Sequence, residues 1–438
     1  MTFHKIDKWT ATAIVIANMV GTGVFTSLGF QLLDIQNAWV IGCLWLLGGL
    51  IALSGAFVYA EIGSFISKNG GEYIFLSELI HPSLGFIAGL VSVVVGFAAP
   101  IAAASVAFGK YLVYSFSFIS QEYKELWSII FAIIILILIT CIHLLGIRIG
   151  GAFQRYVTFI KIFVMLFFMI SFFYPNANPD AFNWNTKEII NSFFSSAFAV
   201  SLIYVSYAYS GWNAAAYVAG EIDNPKKNIA FSLITGTLFV MLFYVLLNMS
   251  FLYSTPVHYM KGKVEVGIIS AQFIFGKAIG SVIGGIISIL LISTISSMLI
   301  ASPRVLSSMG EDYKILNFTS KKNKFQSPYM ALLIISAISA ILIISSSFEW
   351  LINFIGITLI IFTTLTSASI FLLRKKQNYQ PIFKTPLFPV TPLFFISMNI
   401  WILIYVSINQ PSALLVSLGI MILGFVLYKF FNYNSIQQ

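Results

Sequence analysis

Asn18–Phe25, NMVGTGVF, places Gly21, Thr22 and Gly23 in the middle of an apolar segment that runs from about Trp9 to Leu33. A helix crossing a bilayer should not be weakened at its centre without a reason. Two glycines and a threonine loosen the backbone, and in hydrocarbon an unpaired N–H or C=O costs several kcal/mol unless protein, water or a ligand satisfies it. The break therefore predicts a binding site. Broken helices whose freed backbone groups hold substrate at mid-membrane belong to secondary transporters, in which the other half of the chain carries a second break. The expected counterpart lies near Tyr209, Ser210 and Gly211.

Hydrophobic residues make up 59% of the 438 and charged residues 9%, a balance that points to a polytopic membrane protein. Apolar runs long enough to span recur at roughly 9–33, 38–66, 83–117, 126–146, 151–174, 191–219, 229–254, 278–308, 328–347, 350–373, 388–408 and 412–431. The first follows a short polar segment without a small-residue cleavage site and is expected to be retained. The formal charge of +9 would suggest nucleic acid in a soluble chain, but here the basic residues alternate with the spans. Lys5, Lys8, Lys68, Arg148, Arg155, Lys226, Lys227, Arg304, Lys314, Lys321, Lys322, Lys324, Arg374–Lys376, Lys384 and Lys429 fall on one side. Lys110, Lys124, Lys187, Lys261, Lys263 and Lys277 fall on the other. The positive-inside rule then puts both termini in the cytoplasm of a multi-pass cell-membrane protein.

Cys43 and Cys141 lie inside predicted helices, so no loop cysteine is available to tie the chain to a partner subunit by a disulfide. His4, His81, His143 and His258 are isolated from one another, which leaves no metal site and no cofactor to expect.

Residues 1–174 hold five spans, residues 188–373 five more, and residues 388–438 the last two with a short tail. Each five-span half opens with a broken helix and has a long third span rich in small residues. Five is odd, so the second half must enter the membrane from the opposite side and form an inverted repeat.

Four segments together resemble the amino acid/polyamine/organocation permease superfamily. NMVGTGVF is similar to its first-helix motif, usually written G-[ST]-G-[IV]-F, and Tyr59–Leu76 to the loop after its second helix. Ala208–Ser232, AYSGWNAAAYVAGEIDNPKKNIAFS, resembles its sixth helix with the turn that follows. Ala301–Asp312, ASPRVLSSMGED, resembles the end of its eighth helix, although the usual Ala-Arg-Asp-Gly ending is altered. The resemblance implies an all-α LeuT-type five-plus-five fold with two additional C-terminal helices. SGWN leans toward neutral amino acid transporters related to the light chains of heteromeric exchangers.

At the first break, Val20 and Gly21 lead into a half-helix whose free N–H groups on Thr22, Gly23 and Val24 suit a carboxylate. At the second, freed carbonyls around Tyr207, Ala208, Tyr209 and Ser210, ahead of Gly211 and Trp212, suit an ammonium. A zwitterionic amino acid fits both ends. The family motif puts Tyr207 where these permeases carry an aromatic residue that folds over substrate. None of the fifteen acidic residues lies in the middle of the first, third, sixth, eighth or tenth span, which favours a neutral cargo over an amine or polyamine.

Lys161 lies about ten residues, or about 15 Å, into the fifth span, too deep for a stem of about 6 Å to snorkel out easily. A lysine seven residues after a glutamine, here Gln154, resembles sodium-independent members of the superfamily. In them the ammonium occupies a cation position between the first and eighth helices. Carbonyls near Met19 and Val20 and hydroxyls of Ser293, Thr294, Ser296 and Ser297 are the expected partners. A lysine that releases its proton would allow proton symport; one that stays charged would leave amino acid exchange. An intramembrane enzyme would need a facing nucleophile and base, and no span carries such a set. A sensor that binds amino acid without moving it would use the same fold and site.

Overall fold

The computed structural model describes residues 5–115, 120–145, 147–173, 179–193, 195–345, 348–377, 379–409 and 411–436. Among them nine helical segments are long and apolar enough to cross a membrane. Three shorter apolar helices, Ser196–Tyr209, Tyr329–Ser345 and Val390–Tyr405, complete the set of spans expected from the sequence.

In chain order the first span is α1 (Lys8–Met19) and α2 (Thr22–Gln31), and the second is α3 (Ala38–Phe65). A short α4 (Glu72–Leu79) precedes α5 (Pro82–Val91) and α6 (Ala99–Ser115), which are joined by a π-helical stretch, Ser92–Ala98. Pro100 has no N–H to offer the Gly96 carbonyl, and the Ala99 N–H reaches back five residues to Val94. Then follow α7 (Lys124–Leu144), α8 (Ile147–Met169), α9 (Thr186–Phe193), α10 (Ser196–Tyr209), α11 (Ala214–Tyr217) and α12 (Pro225–Ser254). Short α13 (Val257–Met260) and α14 (Val266–Phe275) lead to α15 (Lys277–Asp312), α16 (Tyr329–Ser345), α17 (Phe348–Ala368), α18 (Ile370–Leu373), α19 (Val390–Asn409) and α20 (Pro411–Ile436).

Local chemistry sets the helix starts. Asn37 caps α3 by accepting from the Trp39 and Val40 N–H groups, Ser195 caps α10 through the Phe198 N–H, and Pro225 occupies the first turn of α12. Large apolar side chains such as Phe163, Ile341 and Ile422 point outward, the pattern of a lipid-facing surface. Cys43 and Cys141 are exposed on that outer surface too.

The first and sixth spans run through the centre. On one face Ile6 pairs with Glu221 and Asp223, the Gly70 N–H donates to the Tyr217 carbonyl, Tyr73 bonds Asp312, and Arg304 and Arg374 pair with Glu221 and Glu61. This basic face also bears a cleft of about 650 Å³ lined in part by Lys68, Glu78, Glu221, Arg304, Asp312 and Lys322. At the other end the Gly262 N–H meets the Gly29 carbonyl, and Asn37 and Trp39 donate to Asn183 and Phe182 carbonyls.

Candidate functional site

Both breaks are present where the glycines place them. α1 ends at Met19, and α2 begins at Thr22 behind Gly21, which supplies no side-chain cap. The leading N–H groups of α2, on Thr22, Gly23 and Val24, therefore have no acceptor within their own helix. α10 ends at Tyr209; Ser210 turns extended, and Gly211 takes φ +95°, a left-handed conformation that a side chain would oppose.

The two breaks touch each other twice. A Cβ added to Gly23 would lie 2.4 Å from Ala208 Cα, and one added to Gly211 would lie 2.8 Å from Asn18 Cβ. Gly23 is thus needed for close approach between the broken helices. Its own backbone is ordinary helix, so the constraint is packing and not local strain. The Thr22 and Tyr207 hydroxyls bond across the gap at 2.6 Å.

A cavity opens beside this junction, bounded by Asn18, Phe97, Tyr207, Trp212, Asn213 and Tyr217 among others. A smaller pocket adjoins it at Gly21, Thr22, Gly23, Tyr207, Ala208 and Ser210. Among the described residues no charged side chain lines either space. Tyr209 and Gly211 line the larger one, and Trp212 packs edge-on against Tyr59 with centroids 4.7 Å apart. The side chains of Val20 and Val24 line neither space: both are buried in the packed core, and only their backbone faces the break.

Lys161 does not snorkel. It is fully buried, and its Nζ donates to the Val20 carbonyl at 2.5 Å, to Thr294 Oγ1 at 2.7 Å and to the Ala17 carbonyl at 3.3 Å. Thr294 Oγ1 in turn donates a hydrogen bond to the Val20 carbonyl at 3.0 Å. The partner set differs in part from that expected. The Met19 carbonyl accepts from Tyr244 instead of Lys161, Ser296 pairs with His143 at 2.9 Å, and Ser297 bonds back to the Thr294 carbonyl. Ser293 is buried on the same helix. Helical spacing explains the selection: four hydroxyl-bearing residues among the five positions 293–297 cannot all face one lysine.

Two residues at the site escaped sequence reading. Tyr244 of α12 reaches both breaks, its hydroxyl 2.5 Å from the Met19 carbonyl and 3.1 Å from that of Ala208. Glu72 belongs to a loop in sequence, yet α4 folds back so that its carboxyl is buried below the cavity, accepting from Tyr59 at 2.7 Å and Asn213 at 3.0 Å. The available signal was Gly70-Gly71 just before it, both at positive φ, which reverses the chain.

Interlocked broken helices around a cavity, with free helix-start N–H groups on one side, define a membrane transporter. The chain belongs to the amino acid permease family, which it matches over residues 6–430. It is 26% identical to the serine/threonine exchanger SteT of Bacillus subtilis strain 168, over 97% of this chain and 96% of that protein. It is 25% identical to the b(0,+)-type amino acid transporter 1 of Mus musculus, over 93% and 83%, and 23% identical to the Homo sapiens cystine/glutamate transporter, over 91% and 80%. The protein is an amino acid transporter of the membrane and not an enzyme.

Proposed function

We propose that this transporter moves neutral L-amino acids across the cell membrane by alternating access, without sodium, as an exchanger. The observation that carries the sodium independence is Lys161: a fully buried ammonium held by three oxygen acceptors between α1 and α15. A bound cation would use such carbonyl and hydroxyl oxygens, and the lysine takes them. The likeness to a serine/threonine exchanger favours exchange over proton symport.

Neutral cargo is supported by the lack of charged side chains among the described residues that line both spaces. The substrate carboxylate is assigned to the N–H groups of Thr22, Gly23 and Val24, with Tyr207 closing over the ligand from the second break. The basic face is assigned to the cytoplasm. Residues 1–174 and 188–373 are read as the two inverted repeats, a division supported by the placement of one broken helix at the start of each.

The test is a panel of labelled amino acids in proteoliposomes, with internal amino acid present or absent and sodium replaced by choline at fixed pH. Uptake of neutral amino acids that persists in choline and depends on internal substrate is expected. Collapse in choline would sink the role given to Lys161. Strong competition by putrescine would move the cargo to amines, and binding without uptake would indicate a sensor.

A further inference from the structure

Glu72 stands apart from Glu61, the other buried acid of the basic face, because its neighbours among the described residues are neutral. Glu61 pairs with Arg374, Glu78 with Lys68 and Glu221 with Arg304. Glu72 is 1% exposed; its Oε1 accepts from Tyr59 and Asn213, while its Oε2 has no hydrogen-bond partner. The Tyr217 hydroxyl stands near the carboxyl without a hydrogen bond of normal geometry to Oε2. A buried carboxylate with one bare oxygen and no cation is costly; the neutral acid is far less so.

Its place gives that chemistry a use. Asn213 and Tyr217 line the cavity, whereas Asn69, Gly220 and Glu221 sit with the cleft on the basic face. The short stretch from Asn213 to Glu221 is therefore the floor between the cavity and that cleft, and α4 braces it. The Gly70 N–H holds the Tyr217 carbonyl, and Asn69 Oδ1 holds the Gly220 N–H.

We propose that Glu72 is a proton-binding residue in this floor, that it positions Asn213 and Tyr217, and that the proton it holds keeps the floor closed. When the floor parts, the carboxyl meets water and ionises at its ordinary pH; when the floor closes, the acid form is favoured. Burial pushes the pKa of the closed form up to about 7, against the smaller opposing effect of the hydrogen bonds from Tyr59 and Asn213 and of the nearby Tyr217 hydroxyl. The sign follows from that direction. Closed-state stabilisation by the proton is present below the ordinary carboxyl range and is lost as pH rises through about 7. Between pH 8 and pH 6 the closed-to-open ratio should rise about tenfold.

The groups facing Glu72 cannot supply this response. Tyr59 from α3 and Tyr217 from α11 are phenols, with Thr366 of α17 beside Tyr59, and α5 carries no ionisable side chain. On α4 itself, Tyr73 is bonded to Asp312 and Glu78 to Lys68. Glu349 stands in the first turn of α17, about 20 Å along that helix from Thr363 at the cavity.

The proposal rests on transport by the family fold and is independent of the sodium reading. Its test uses no substrate and no sodium, so either idea can fail alone. A reporter, Ala214→Cys with Cys43→Ser and Cys141→Ser, is reconstituted and labelled with an impermeant maleimide from each side between pH 5.5 and 8.5. Each rate is divided by that of the same cysteine in denatured protein at the same pH, which cancels the thiol's own titration. Labelling from the basic-face side should rise about tenfold from pH 6 to pH 8 with a midpoint near 7, and Glu72→Gln should stay low and flat. A reporter with no inflection would overturn the proposal, as would Glu72→Gln that keeps the inflection. Should Glu72→Gln fail to fold, Glu72→Asp decides: a displaced midpoint supports the proposal and an unmoved one overturns it.

Discussion

A single methyl group at Gly23 tests whether contact between the two broken helices governs the site. In Gly23→Ala the new carbon would lie 2.4 Å from Ala208 Cα, 2.6 Å from its Cβ and 3.1 Å from its N. These atoms belong to the backbone or sit directly on it, so no rotamer change relieves the clash, and α2 and α10 must separate by about 1 Å to restore ordinary contact. That movement would stretch the 2.6 Å bond between Thr22 and Tyr207 past hydrogen-bonding distance and withdraw the α2 N–H groups from the ligand. Overpacking of this kind costs about 1–3 kcal/mol, which, taken from binding, weakens affinity about fivefold to 150-fold. The assay is equilibrium binding of the best-transported neutral amino acid to purified protein, with Gly419→Ala as control because nothing lies within 4 Å of the methyl there. A folded Gly23→Ala protein with wild-type affinity and turnover would refute the reasoning, since the helices would then have room that the close contact denies.

Lys161→Ala removes the donor from the Ala17 carbonyl and one from Val20, although Thr294 still bonds Val20. A cost of about 1–3 kcal/mol is expected, seen as slowed exchange in proteoliposomes with a smaller change in KM. Tyr244→Phe leaves the Met19 and Ala208 carbonyls without that hydroxyl and should lower the turnover several-fold while the protein remains folded by thermal unfolding. Unchanged turnover would make Tyr244 a packing residue only.

Much of this protein was legible in its sequence because the bilayer limits what a chain can do. Apolar runs of spanning length must be helices, since no water is present to satisfy any other backbone, and among the described residues each expected run holds helix. The same constraint made the two interruptions, at Gly21–Gly23 and at Gly211, readable as breaks, and a lone lysine deep in a span readable as a buried, hydrogen-bonded group. What the sequence could not supply was the partner of each group. Whether Lys161 met Met19 or Ala17, and which of Ser293, Thr294, Ser296 and Ser297 it met, depends on helix rotation and on contacts across well over a hundred residues of chain. Tyr244 looks like any aromatic on an apolar helix until α12 packs it against both breaks. Glu72 shows the limit most clearly. A search for acids inside the spans passes over it, because α4 lies outside every span, and only the back-folding at Gly70 and Gly71 buries its carboxyl beneath the cavity. Hydropathy is a property of the local chain and can be read there; the neighbours of a buried polar atom are set by tertiary packing and cannot.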